Sequence, residues 1–360
     1  MNKFNLLDCT LRDGGYITNW NFDDSMIIET IGELIESNLD FIEVGYLNNK
    51  PYIPNTVQFN NIEQIESFLP MDRKKSLILA MADVQQYSNV DITPFTGKSI
   101  DGIRVVFYKH QVEEAFSLCK AVSLNGYKLF VQPMVTIDYT LDEYAELISR
   151  IALLEPCAVS IVDSFGYMIK SDFRLYFKVL DNILAPETMI GFHSHNNMCL
   201  TFITAQDIFD YNTTRRLILD SSLYGMGRGA GNLNTELIAN YYNMVLGKKY
   251  DINRILKIIG KYILPISEKR GWGYSPYLFL TGMYHCHPNY ACYLLEEYHV
   301  TVEDFEQYLN TIPDDMKTKC RKPYVLEMWN KMKGKNNYGK LSPSVIQLFC
   351  YYVTVHLFID

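Results

Sequence analysis

Two histidines one residue apart, His193 and His195 in Gly191-Phe192-His193-Ser194-His195-Asn196-Asn197, carry the strongest chemical signal in the chain. Residues i and i+2 of a strand share a face, so both imidazoles aim at one point if this segment is extended. One added carboxylate gives a two-nitrogen, one-oxygen donor set with open positions, as a catalytic divalent metal requires. Asp13 offers that carboxylate, in Thr10-Leu11-Arg12-Asp13-Gly14-Gly15, where two glycines permit close backbone approach. Glu43 and the pair Asp163-Ser164 close two other apolar runs. The glycine run Gly225-Met226-Gly227-Arg228-Gly229-Ala230-Gly231-Asn232 formally satisfies a dinucleotide fingerprint. A dinucleotide fold needs more strands after its glycines, whereas the chain beyond Asn232 reads as helix. The run is therefore expected to form a backbone-lined wall of the site, with Asn232 turned towards the metal. A second His-x-His, His285-Cys286-His287, falls where the chain reads as helix, so its two rings should diverge. It is expected to lie outside the metal site, although a histidine there could still reach the barrel mouth.

Elements that could position these groups recur through the first 250 residues. Candidate strands are Asn5–Cys9, Asp40–Tyr46, Ser76–Ala82, Gly102–Tyr108, Lys128–Val135, Ala158–Asp163, Met189–Ser194 and Leu217–Leu223. Helical periodicity marks Asp23–Ser37, Gln111–Leu124, Leu141–Leu154 and Ser171–Leu184. Strands alternating with helices imply βα units and a parallel sheet. Eight units in this length predict an α/β protein of the (β/α)8 TIM-barrel type, residues 1–248, whose active site sits at the C-terminal ends of the strands. Residues 249–360 change texture and predict a mostly helical C-terminal domain. Its helices are expected at Ile252–Leu264, Pro276–Glu297, Val302–Leu309 and Ser342–Phe358.

Composition narrows the class. The chain has 360 residues, 48% hydrophobic and 21% charged, as expected of a soluble globular protein. A net charge of −8 argues against a nucleic-acid binder. No apolar run reaches membrane-spanning length, and Met1-Asn2-Lys3-Phe4 enters a strand without a signal-peptide core, so a cytoplasmic protein is expected. Eight cysteines with no Cys-x-x-Cys pair point to reduced thiols. One stretch, Lys317 to Lys340, holds eight basic residues against Glu327 alone. It suits either a solvated basic face or a contact for an anionic ligand. The apolar ending Leu348–Ile359 suggests a subunit contact, hence a homodimer.

Together these motifs resemble the pyruvate aldolase and acyltransferase/lyase superfamily of metal-dependent barrels. The resemblance rests on Thr10 to Gly14, Ile42-Glu43-Val44, Gly191 to Asn197 and Gly225 to Asn232, and is strongest to the 4-hydroxy-2-oxovalerate aldolase branch. It implies a class II-type pyruvate aldolase that cleaves or forms a 4-hydroxy-2-oxo acid through a pyruvate enolate. Asp13, His193 and His195 would bind the metal, with Asn232 as a further ligand. Manganese or magnesium is expected, with cobalt or zinc as alternatives. Arg12 would neutralise the enolate oxygen, Ser164 and Glu43 would lie beside the 2-oxo acid, and Tyr284 would reach in from the helical domain. The branch has an acid/base histidine where this chain has Tyr16, which implies another proton acceptor or a different aldehyde. The resemblance also allows an acylating aldehyde dehydrogenase partner. Two other readings stay open: a Claisen-type acyl-CoA condensing enzyme or lyase, and a barrel without catalysis that serves in binding or assembly.

Overall fold

The computed structural model describes residues 3–87, 92–211 and 213–334. Its strands are β1 (Phe4–Asp8), β2 (Phe41–Leu47), β3 (Gln58–Phe59), β4 (Leu77–Asp83), β5 (Gly102–Phe107), β6 (Lys128–Pro133), β7 (Ala158–Asp163), β8 (Met189–Ser194) and β9 (Leu217–Ser221). All of them pair in parallel, and β1 pairs with both β9 and β2, which closes eight strands into a (β/α)8 barrel. The two-residue β3 only extends β2 at the rim, through Tyr46 opposite Gln58. It is too short to leave a periodic trace in sequence.

The strands are almost continuously apolar because both of their faces are buried. Alternation still decides which side chain faces where. Ile42, Val44, Ile78, Ala80, Ile103, Val105, Ile190 and Phe192 pack outward with the surrounding helices. Leu7, Phe41, Leu79, Phe130, Ala158, Met189 and Ile218 point inward and form a separate apolar floor. The same inward parity, continued toward the strands' C-terminal ends, delivers Glu43, Arg104, Asp220, His193 and His195 above that floor. A one-residue slip in β8 would turn both histidines into the helical layer. A register shift in β2 between Glu43 and Tyr46 brings Tyr46 inward as well.

The expected helices at 23–37, 111–124, 141–154 and 171–184 form at Asp24–Glu36, Val112–Leu124, Leu141–Ala152 and Lys170–Ile183. Two local expectations change. Arg12 and Asp13 sit not on a strand end but on a one-turn helix, Thr10–Asp13, directly after β1. The stretch Pro276–Glu297 is two helices, Pro276–Met283 and Asn289–Glu297. They are separated by a turn with His285 at φ 57 and with Pro288, which cannot continue a helix. The helix Lys322–Lys333 carries too mixed a pattern to show in sequence. The expected helix Ser342–Phe358 and the apolar ending Leu348–Ile359 lie outside the described residues.

Beyond residue 248, Ile255, Ile258, Ile259 and Ile263 still join the barrel's hydrophobic core. A second core, with Leu280, Tyr290, Phe305, Tyr308, Val325 and Trp329, starts later. We propose that the border between the two bodies falls between Arg270 and Pro276. Among the described residues no helix is long and apolar enough to cross a membrane.

The barrel floor carries much of the fold's stability. Phe130 is 2% exposed and its ring centroid lies 5.7 Å from that of Phe41. Phe130→Ala is expected to lower stability by about 3–5 kcal/mol in urea unfolding. Leu237→Ala, on a side chain 50% exposed, should stay within about 0.5 kcal/mol.

Candidate metal and active site

Asp13, His193 and His195 converge at the barrel mouth. One donor atom from each lies within 4.8 Å of the others, and all three side chains are buried. His193 is fixed from below, its Nδ1 3.1 Å from Asp220 Oδ2. A carboxylate on that nitrogen fixes the tautomer and leaves Nε2 as a donor for a cation. Burial opposes charge on Asp220, but Arg104 and the His193 hydrogen bond outweigh it and hold the carboxyl below its usual range. Burial likewise opposes charge on Asp13, and Arg12, His195, His193 and Arg228 together hold it well below the carboxylate range. His195 is pushed down to about 3 by burial, so its imidazole is neutral, the form that ligates metals.

These residues fit a divalent metal. His195 Nδ1 and Asn232 Oδ1 are both buried without a hydrogen-bond partner, a costly state that a cation would relieve. The Asn232 amide donates to Asp13 Oδ2 at 2.6 Å, which aligns that carboxylate. Gly227 passes so close that any Cβ there would collide with Asn232 Nδ2 and Asp13 Oδ2. The glycine run is thus the wall expected from sequence. It is tied to the end of β8 by Asn196 N–H to Gly231 O at 2.8 Å and by Ala230 N–H to Asn197 Oδ1 at 3.2 Å. Cys9 lies nearby; burial pushes its thiol up, and its Sγ donates to the Ser221 carbonyl at 3.2 Å.

Arg12 donates through Nε to Glu43 Oε2 at 2.6 Å and through Nη1 to Asp13, while its Nη2 is buried and unpartnered. Glu43 is fully buried, and its Oε2 also faces Arg104 Nη1 at 3.0 Å. Its contacts are thus with arginines, and it acts on the site through Arg12. Ser164 lies at the mouth, but its hydroxyl accepts the Val135 N–H at 2.9 Å. Tyr16 stands at the rim, 37% exposed, with its hydroxyl 3.2 Å from that of Tyr46.

Tyr284, expected to reach in, instead donates its hydroxyl to Glu306 Oε1 at 2.9 Å and accepts from Asn310 at 3.1 Å, both in the helical region. The helix break after Met283 turns that ring away from the mouth and brings His287 inward, against Phe165 at 5.1 Å. His285, its companion, stacks on Tyr167 at 4.4 Å. The described part of the basic segment is largely neutralised. Lys317 pairs with Asp314, Lys322 with Glu296 and Glu297, Lys331 with Glu327 and Lys333 with Asp304. Lys335, Tyr338 and Lys340 lie outside the described residues.

Arg104, Asp220 and Arg228 join the site without having been expected there from sequence, and His287 takes up the alternative left open for its pair, that one of its histidines reaches the mouth. The first two had a signal: a charge in the middle of a strand buried on both faces must be paired inside. Arg228 lay within the glycine run without being assigned a task.

The HMGL-like profile matches residues 3–260, most of the chain. The chain belongs to the HMGL-like family. Similar proteins include a Mycobacterium tuberculosis protein named oxaloacetate decarboxylase, 24% identical over 65% of this chain and 68% of the relative. A 4-hydroxy-2-oxovalerate aldolase of Chloroflexus aggregans is 25% identical over 65% of this chain and 67% of its own. Among solved structures, the N-terminal domain of a candidate aldolase from Bacteroides vulgatus superposes with a TM-score of 0.64 at 27% identity, covering 79% of this chain and 94% of that one. This HMGL-like chain is a carbon–carbon lyase.

Asp13→Ala and His195→Ala should each abolish stoichiometric manganese binding, measured by elemental analysis after dialysis, with the circular dichroism spectrum preserved. Asp220→Asn, which removes the carboxylate that orients His193 and pairs with Arg104, should weaken manganese binding by about 10- to 100-fold.

Proposed function

We propose that the chain cleaves, or in reverse forms, a carbon–carbon bond of a 4-hydroxy-2-oxo acid, with pyruvate as the enolate partner. The observation that carries this reading is the convergence of Asp13, His193 and His195 beside the unpartnered Nη2 of Arg12. Breaking the bond next to a ketone leaves an enolate that water at neutral pH does not stabilise. A divalent cation, when bound, supplies Lewis acidity for that charge. Asp13, His193 and His195 would hold it, with Asn232 Oδ1 as a further donor. The carboxylate and amide oxygens suit manganese or magnesium, and the two imidazoles equally admit cobalt or zinc.

The chain's own residues do the rest. Arg12 presents a fixed positive charge and a free N–H where negative charge develops, and Glu43 keeps it from turning away. Asp220 holds the His193 ring in one orientation. Arg12, Asp13, His193 and His195 are each no more than 4% exposed, so the charges of Arg12 and Asp13 act with little screening from water. At the rim, the Tyr16 hydroxyl stands where the resemblance places an acid/base histidine. It is the proposed partner for the substrate's 4-hydroxyl, with Tyr46 as its hydrogen-bonding neighbour. Tyr284 is given no step, since its hydroxyl is committed to Glu306 and Asn310. An acyl-CoA reaction is less favoured, because four basic residues of the described segment that could meet CoA phosphates, Lys317, Lys322, Lys331 and Lys333, are paired with acids.

The test is pyruvate release from a panel of 4-hydroxy-2-oxo acids, and pyruvate uptake with a panel of aldehydes, in manganese, magnesium or cobalt. Turnover on at least one member is expected, and Arg12→Met should lower kcat by about 100-fold or more. Metal-loaded, folded protein that turns over nothing across a wide panel would overturn the proposal.

A further inference from the structure

Arg228 is a cation that the site's ion pairs leave over. Asp13, Glu43 and Asp220 form their ion pairs with Arg12 and Arg104, and none with Arg228. Arg228 donates Nη2 to the Ser164 carbonyl at 3.1 Å, and its guanidinium lies 5.5 Å from the centroid of the Tyr16 ring. Among the described residues no acidic side chain forms an ion pair with it. Its Nε is buried without a partner. A guanidinium N–H withdrawn from water and left unpaired is unfavourable until an anion arrives.

A neutral donor stands near it. His287 is 7% exposed, and its Nδ1 accepts the Asn289 N–H at 3.0 Å, so the proton of the neutral ring is on Nε2. It lies within electrostatic reach of Arg228 and His195. The loop carrying Arg228 presses on the same turn, since a Cβ on Gly229 would stand 3.5 Å from Pro288 Cβ. A neutral N–H beside a guanidinium adds a hydrogen bond for an anion without repelling the cation.

We propose that Arg228, with His287 beside it, binds a second anionic group of the substrate, so that the 2-oxo acid taken by this site is a dicarboxylate. The inference rests on the proposed 2-oxo acid chemistry at Asp13, His193 and His195. Charge supports it. Arg12, Arg104 and Arg228 balance Asp13, Glu43 and Asp220, and a divalent cation leaves two positive charges in excess. A dicarboxylate cancels both and a monocarboxylate only one. The planar guanidinium also suits a carboxylate better than a hydroxyl or an alkyl end.

The test compares two acids of equal length without a 4-hydroxyl, 2-oxoglutarate and 2-oxopentanoate, by calorimetric titration into manganese-loaded protein. Wild type should bind 2-oxoglutarate about 10- to 100-fold more tightly. Arg228→Gln should erase that preference while leaving 2-oxopentanoate affinity within about threefold. His287→Phe should reduce the preference severalfold and provides a second variant should Arg228→Gln fail to fold. Equal binding of the two acids by wild type, or Arg228→Gln weakening both alike, would overturn this inference alone. If neither acid binds while manganese is bound, the 2-oxo acid reading falls with it.

Discussion

The site depends on a chain of alternating charges sealed inside the barrel, Arg12 to Glu43, Glu43 to Arg104 and Arg104 to Asp220, which ends in the hydrogen bond between Asp220 and the His193 imidazole. These groups come from the loop after β1 and from β2, β5, β9 and β8, so the chain ties together five separate segments of the polypeptide. Burying any one of these charges alone would be prohibitive, and each is tolerated because its neighbours carry the opposite sign. Such a network adds less to stability than an apolar filling of equal volume would. Its contribution is orientation. Arg12, Glu43, Arg104 and Asp220 each meet two partners, and the unsatisfied Nη2 of Arg12 is the group a substrate oxygen would meet.

The interior is layered, and each layer serves the one above. The apolar floor around Phe41, Phe130 and Met189 keeps water from entering from below. The ionic layer rests on it in a low-dielectric setting, where fixed charges act strongly. Above lie Asp13, His193 and His195, walled by the glycine run, whose backbone approaches closely only because Gly227 lacks a side chain. The helical region covers part of the mouth and brings His287 against Phe165, on a turn that packs near the loop carrying Arg228. The barrel thus supplies the electrostatics, and the loops and the added helices supply selectivity, the usual division of labour in this fold.

His-x-His, Arg-Asp-Gly and the glycine run could be recognised from spacing alone, because a strand's two-residue period is a local property. The closed parallel barrel was legible for the same reason: eight apolar runs separated by helical periods admit few other architectures. The departures were also physical. The break at Tyr284–Pro288 interrupts an apolar pattern that by itself suits one helix, and Tyr284, which the family resemblance would bring to the site, turns away there while His287 turns inward.

The sequence by itself determined which residue types stand at the C-terminal ends of the strands, and therefore that imidazole, carboxylate and guanidinium groups would share one barrel mouth. Only the tertiary structure decided their partners. Arg104 and Asp220 are 116 residues apart in the chain and meet across the barrel interior, and no local rule ties one to the other. Whether a charge is paired or left over depends on that meeting. This is why Glu43 proved to be a support for Arg12, and why Arg228 emerged as the cation still without an anion.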